Sequence, residues 1–150
     1  MQRAEVISSI VLSAHALARI AAQDAGNEAP AAQWRVLSIL ESRTGVRIGE
    51  LAAAARTTQP GMTRLIGELE RGGLVQRTAD PTDSRATLVT LTDDGRQAVI
   101  DWRAEFRETL APRFAGLAED DWAALERAAA ILAAHTSEPR TADQGTGEHE

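Results

Sequence analysis

The spacing of apolar residues along the chain changes abruptly at Gly72 and Gly73. Before these glycines the spacing is three or four residues, as on one buried face of a helix, at Met62, Leu65, Ile66 and Leu69. After them the spacing is two, as in strands, at Val75, Arg77, Val89 and Leu91. The polar, turn-forming residues 80–84 separate the two strand segments. We therefore expect a helix followed by a β-hairpin whose loop projects into solvent.

Helical spacing also marks segments on both sides of this helix and hairpin. Five other helices are predicted. The first spans roughly 4–24, the second begins at Pro30 and the third covers 48–55. The remaining two follow the hairpin, one beginning after Thr92 and the other at Glu119. We expect Pro112 to kink or end the helix that follows Thr92. In the last helix, the residues expected to face inward are Trp122, Leu125, Ala129 and Leu132. The order predicts a mainly α fold with a small antiparallel β-wing: a winged helix-turn-helix between terminal helices.

The helix before the two glycines has a polar face that suits contact with DNA bases. Thr58 can cap its first turn, and Pro60 fits only such a turn. The amide of Gln59, the hydroxyl of Thr63 and the guanidinium of Arg64 can bond base edges in a major groove, and Gly61 removes a side chain where a close approach would clash. For a single amphipathic helix, an ordinary solvated face is the commoner explanation.

The predicted wing carries a second candidate group. Asp83 and Arg85 are two residues apart, so the carboxylate can orient the guanidinium for a narrow minor groove. Taken alone, such a pair is more often a surface ion pair that contributes about 0–1 kcal/mol. The combination of a capped polar helix and an arginine-bearing wing favours DNA binding over either simple explanation.

The charge distribution agrees with this hypothesis. The net charge is -6, and all 16 basic residues are Arg. Residues 43–92 carry seven Arg and five acidic residues, whereas the segments on both sides are net acidic. Only the middle of the chain therefore suits a polyanion.

Several classes of function are disfavoured. The absence of Cys removes disulfides, thiol catalysis and thiolate metal sites, and His15, His135 and His149 form no catalytic constellation with other residues. We expect no enzymatic activity and no cofactor. Metal binding by His15 and His135 at a dimer interface is open, although surface histidines are commoner. No apolar run approaches the about 18–20 residues of a membrane span, and residues 1–5 do not resemble a signal peptide, so we expect a cytoplasmic protein.

Five motifs together resemble the MarR family of winged-helix transcriptional regulators. They are Ala32–Leu37, Ile48–Ala52, Thr58–Val75, Asp80–Ala86 and Leu91–Gly95. The resemblance covers about residues 30–96 in order and without gaps.

The resemblance implies a homodimer held by the first, fifth and sixth helices, with one recognition helix and one wing of each subunit on a pseudo-palindromic operator. It places the following residues at or in the major groove: Thr58, Gln59, Pro60, Thr63 and Arg64. It also implies that Arg85, held by Asp83, reaches the minor groove. Many members have Asp-Arg-Arg in the wing, whereas Ser84 is the middle residue here, so one phosphate-binding charge is missing. Arg71 and Arg77 are candidates to replace it.

We therefore expect one MarR-like domain over 1–136, with the winged helix-turn-helix at about 30–92, dimerisation helices at about 4–24 and 93–136, and a disordered tail at 137–150. The expected function is that of a sequence-specific, double-stranded DNA-binding regulator and ligand-responsive repressor. The alternative is a helical adaptor that binds protein and uses the winged domain as a scaffold. Family members commonly respond to small aromatic or amphipathic effectors. Trp34, His15 and Arg19 are candidates to line an effector pocket, although the spacing of Trp34 is explained by a place in the core.

Overall fold

The structure is a computed structural model that describes residues 2–26 and 31–136. The predicted helix start at Pro30, the predicted disorder of 137–150 and His149 lie outside the described residues. The elements are α1 (Arg3–Asp24), α2 (Ala31–Ser42), β1 (Val46–Arg47), α3 (Ile48–Ala54), α4 (Gln59–Arg71), β2 (Val75–Asp80), β3 (Asp83–Leu91), α5 (Asp93–Phe114) and α6 (Glu119–Thr136). They divide into two compact units, Met1–Pro112 and Arg113–Glu150. The expectation of one domain over 1–136 stays a prediction.

The predicted fold class is confirmed: the chain is mainly helical with a small antiparallel wing. The sheet has the strand order β1-β3-β2, and β1 was not predicted. This strand has only two residues, so its sequence carries no period. Val46 pairs with Val89 of β3 and is buried, which fixes the hairpin to the segment that precedes α3.

The hairpin loop is shorter than predicted. β2 continues to Asp80 and β3 begins at Asp83, so only Pro81 and Thr82 form the turn. The prediction that the loop projects into solvent is wrong for Asp80, which is 7% exposed. Its carboxylate has hydrogen-bond partners that make burial possible, as described below.

The main core lies between α2, α3, α4, the sheet and the start of α5. Its fully buried large side chains are Leu37, Leu51, Met62, Ile66, Leu69, Val36, Val46, Val75, Val89 and Val99. Gly95 lets α5 approach this core, because a Cβ there would overlap the carbonyl oxygen of Leu74. Thr92 caps α5 through its hydroxyl, which accepts from the Gly95 N–H at 3.0 Å and donates to the Gly73 carbonyl at 2.6 Å.

The long helices outside this core leave apolar residues exposed. In α1 only Ala21 is buried, and α6 has no buried residue. The prediction that Trp122, Leu125 and Ala129 face inward is wrong for the isolated chain. Trp122 and Leu125 are 41% and 44% exposed, and Ala129 is also exposed. α5 contains Pro112 and ends two residues later at Phe114, close to the predicted break.

By length and composition alone, α1 is apolar enough to cross a membrane. Its most apolar 18-residue window has a mean hydropathy of 1.4 and is 6% buried. This corrects the expectation that no apolar stretch approaches that length, because frequent alanines and isoleucines outweigh the interspersed polar residues. The core of its own unit therefore covers little of the apolar surface of α1.

Candidate nucleic-acid interface

The first turn of α4 is fixed by its cap. Thr58 has an extended backbone, and its hydroxyl accepts a hydrogen bond from the Gly61 N–H at 3.2 Å. Pro60 lies in the first turn, where its missing N–H leaves no helical hydrogen bond unmade. The Thr63 hydroxyl donates to the Gln59 carbonyl at 2.9 Å. These contacts confirm the predicted helix start.

One face of α4 is buried and the other is exposed. Met62 and Ile66 are fully buried and Leu69 is 2% exposed. The predicted DNA-contacting residues of this helix are all exposed, and we call them the α4 surface: Thr58, Gln59, Pro60, Gly61, Thr63 and Arg64. The structure brings them together at one helix end, next to the positive end of its dipole.

Gly61 also has a role within the chain. A Cβ at this position would lie 3.0 Å from the Thr58 hydroxyl oxygen and 3.4 Å from that of Thr57. Glycine therefore leaves room for the cap, and a close approach of DNA at this position stays a prediction.

The wing places Asp83 and Arg85 in solvent but not as the predicted side-chain pair. Asp83 Oδ1 accepts from the backbone N–H of Arg85 at 3.0 Å. Within residues 2–26 and 31–136, no ion pair joins the two side chains. A hydrogen bond two residues ahead is the ordinary preference of aspartate in turns, which explains the difference. Arg85 is therefore an exposed cation whose carboxylate neighbour shapes the backbone.

Asp80 is the wing residue that sequence reasoning missed. Its Oδ2 accepts from Arg47 Nε at 3.1 Å and Nη2 at 2.6 Å, and its Oδ1 accepts from the Thr82 N–H at 2.8 Å and hydroxyl at 2.7 Å. The Thr82 hydrogen bonds, followed by that of Arg47, lower the pKa of Asp80 to about 2. The same carboxylate raises the pKa of Arg47. The wing turn is thus tied to the residue that precedes α3.

The two arginines considered as replacements for the missing wing charge have partners within the chain. Arg77 Nε lies 3.4 Å from a carboxylate oxygen of Glu70, and Arg71 Nε donates to the Gly67 carbonyl at 3.2 Å. Both side chains remain partly or fully exposed. Their contribution to DNA binding stays a prediction.

A cavity of about 770 Å³ lies between α1, α2 and α5 in the first unit. Trp34 and Trp102 stack in it with ring centroids 4.9 Å apart and an angle of 8° between their planes, and Phe106 lies 5.1 Å from Trp102. His15 and Arg19 also line it, so the structure joins the three residues proposed for an effector pocket. Trp34 packs against the main core as well. It is therefore both a core residue and a residue that lines the cavity.

The described residues contain no group of three or more His, Asp or Glu side chains that is suited to a metal ion. His135 Nδ1 lies 2.8 Å from the Ile131 carbonyl oxygen on its own helix.

Comparison with known proteins agrees with the geometry. A model described as MarR family matches residues 30–86. The chain is 33% identical to the uncharacterized HTH-type transcriptional regulator Mb0904 of Mycobacterium bovis over 106 residues. This matched region covers 71% of this chain and 74% of that protein. The chain belongs to the MarR family of transcriptional regulators. Membership confirms the predicted class, a DNA-binding regulator and not an enzyme.

Two solved structures and one further relative extend the comparison. RV1404 from Mycobacterium tuberculosis has a TM-score of 0.74 at 24% identity, over 94% of this chain and 99% of that one. A single-substitution mutant of S. aureus MepR bound to an oligodeoxyribonucleotide has a TM-score of 0.61 at 21% identity, over 91% and 99% of the two chains. The transcriptional repressor IacR of Pseudomonas putida is 31% identical over 87 residues, or 58% of this chain and 52% of that protein.

Proposed function

We propose that this MarR-family protein is a cytoplasmic homodimer that binds a pseudo-palindromic operator in double-stranded DNA and represses transcription by occluding a promoter. The observation that carries the proposal is the division of α4 into a buried apolar face and an exposed polar face at its N-terminal end. A helix with this division can lie in a major groove without disturbing the core. The oligodeoxyribonucleotide bound to MepR and the repressor name of IacR support the same function.

The roles of the site residues follow from their chemistry. In this proposal Gln59, Thr63 and Arg64 contact base edges, because amide, hydroxyl and guanidinium groups match base donors and acceptors. Thr58, Pro60 and Gly61 bring the helix end close to the DNA backbone. Arg85 enters the adjacent minor groove, and Asp83 shapes the turn that presents it.

The exposed apolar residues of the long helices support a dimer. In α1 they include Ile7 at 54% and Leu12 at 69% exposure, and in α6 Ile131 at 54%. A second copy of the chain would remove such side chains from water. A two-fold dimer also presents two copies of α4 to the DNA, and half-sites one helical turn apart are separated by about 34–36 Å.

The cavity supports control by a small aromatic or amphipathic effector. Its tryptophan rings offer stacking surfaces, and Arg19 and His15 offer polar contacts. An effector releases the operator only if it binds the DNA-incompetent dimer more tightly than the competent one. The effector site is thus proposed within the same unit as the α4 surface.

A salt titration tests DNA binding. We expect the logarithm of the affinity for a selected genomic fragment to fall linearly with the logarithm of salt concentration, because phosphates are neutralised by arginines. If the protein binds no duplex, or binds every duplex with an affinity that salt does not change, the proposal is contradicted and the protein-binding adaptor is favoured.

Three substitutions separate the roles of the arginines. Arg64→Ala should weaken binding to the selected fragment more than to random duplex, and Arg85→Ala should weaken both and change the preference for A·T pairs. Arg127→Ala on α6 removes an exposed arginine outside the α4 surface and the wing, so it should change neither affinity by more than about twofold. Equal affinities for all three variants and the wild type would show that these site residues are assigned wrongly.

A further inference from the structure

The outer part of the wing has few structural supports. We define the wing tip as residues 79–87, which form the hairpin beyond its pairing with β1. β1 pairs with β3 only at Val89 and Leu88, so the wing tip is a two-stranded ribbon. A two-stranded ribbon alone is marginally stable in water, and its direction is not fixed by a third strand.

The contact between the wing and α4 lies below the wing tip, where Arg77 Nε of β2 is 3.4 Å from a carboxylate oxygen of Glu70. A recess of about 590 Å³ lies between the start of α4, at Gln59, and the wing tip, at Ala86 and Thr87 of β3. Arg47 also lines this recess. Direct packing between the wing tip and α4 therefore does not determine the angle of the wing tip.

In the part of the chain that the structure describes, the side-chain hydrogen bonds from the wing tip to the rest of the protein are those between Asp80 and Arg47. Both lead to one carboxylate oxygen, and the other oxygen holds Thr82 of the turn. Arg47 also precedes α3, and its backbone N–H donates to Glu50 of that helix at 3.3 Å. One side-chain pair thus connects the wing turn to the helix-turn-helix.

We propose that Arg47 and Asp80 are positioning residues that hold the wing at the angle in which Arg85 and the α4 surface reach adjacent grooves together. This inference rests on the proposed function. The pair limits bending of the wing tip before DNA binds, so less conformational freedom is lost on binding. Breaking the link leaves Arg85 present but no longer held in place.

A double-mutant cycle between Arg47 and Arg85 tests this role. Arg47→Gln removes the cation and leaves the hydrogen bonds between Asp80 and Thr82 in place. We expect Arg85→Ala to weaken binding to the selected fragment about tenfold in the wild type and less than about threefold in the Arg47→Gln background. Equal effects of Arg85→Ala in both backgrounds overturn the proposal, because a simple phosphate contact by Arg47 would be additive.

Asp80→Asn is the second variant, and it separates positioning from charge. Removing a negative charge near the proposed DNA surface should strengthen binding through Coulomb attraction alone. The positioning role instead predicts weaker binding and a reduced effect of Arg85→Ala. Tighter binding with an unchanged effect of Arg85→Ala overturns the inference.

Asp94→Asn is the matched control, since Asp94 is an exposed acid on α5 with the same change of charge. Circular dichroism and thermal unfolding establish that each variant is folded before its affinity is compared. Failure of the wild type to bind any duplex would refute the proposed function. The positioning role alone would be refuted if the wild type binds DNA through Arg85 and the effect of Arg85→Ala stays the same in the Arg47→Gln and Asp80→Asn backgrounds.

Discussion

α4 and the long helices α1 and α6 all have an apolar stripe along one face, but the stripe is buried within the chain in α4 and largely exposed in α1 and α6. In α4, Met62 and Ile66 are fully buried by α2, α3 and the sheet. In α1, Leu12 is 69% exposed, and in α6, Leu125 is 44% exposed. A stripe therefore identifies a helix with a surface to bury, but it does not identify what buries that surface. The winged region completes its core within one chain, whereas the terminal helices present surface to a partner in the proposed dimer.

The largest expected effect tests the completed core. Leu37 is 1% exposed, so Leu37→Ala should lower the free energy of unfolding by about 3 kcal/mol through lost burial and a cavity. Urea unfolding monitored by circular dichroism measures the change. Leu12→Ala is the control, and it should cost less than about 1 kcal/mol at concentrations where the chain is monomeric. Equal losses would remove the distinction between the two regions.

The next effect concerns the surface of α1. Ile7 and Val11 are 54% and 45% exposed and are four residues apart, so they share one helix face. The double substitution Ile7→Glu and Val11→Glu should raise the dissociation constant of the dimer at least about tenfold, because charges would be buried at the interface. Sedimentation equilibrium measures this constant.

The control is Ser9→Glu, which adds a charge to an exposed position of α1 on another face. It should leave the dissociation constant close to that of the wild type. An unchanged constant for the double variant would contradict the proposed place of α1 in the dimer.

A smaller effect concerns Asp80. Its pKa is lowered from the ordinary 3.8 to about 2, so the folded protein stabilises the charged form. The resulting stability is complete above the unfolded pKa and is lost as pH falls toward the folded pKa. The wild type should therefore lose more stability than Asp80→Asn between pH 4 and pH 2. Urea midpoints measured across this window test the sign, and parallel profiles would contradict it.

The smallest effect concerns the turn before α4. Arg56 has a φ of 54°, in the left-handed region that favours glycine. Arg56→Gly should relieve this strain and raise the free energy of unfolding by about 0.5 kcal/mol after the entropic cost of glycine. The control Ala53→Gly places glycine at an exposed position within α3 and should lower the free energy of unfolding by about 1 kcal/mol. A loss in both variants would show that the position is not strained.

The sequence predicts α4 and its cap well because both depend on local chemistry. The spacing of Met62 and Ile66 identifies the buried face, and the hydroxyl of Thr58 identifies the start. The close contact of Gly95 with Leu74 is not local, because it depends on how α5 approaches the core.

The features that sequence reasoning missed depend on residues far apart in the chain. The burial of Asp80 depends on Arg47, which is 33 residues away, and turn chemistry alone predicts exposure. The stacking of Trp34 on Trp102 depends on the packing of α2 against α5. The exposure of Trp122 depends on whether a partner covers α6. The spacing of apolar residues along the sequence does not show which distant residues or which partner chain a side chain will contact.

A footprint on a genomic fragment selected at low ionic strength shows directly whether two copies of α4 bind one operator. We expect two symmetric protected segments with centres about 10 base pairs apart, or a multiple of that distance, since each subunit of a two-fold dimer presents one α4 and one wing. Protection of a single unpaired segment, or of no defined segment by correctly folded protein, would contradict it.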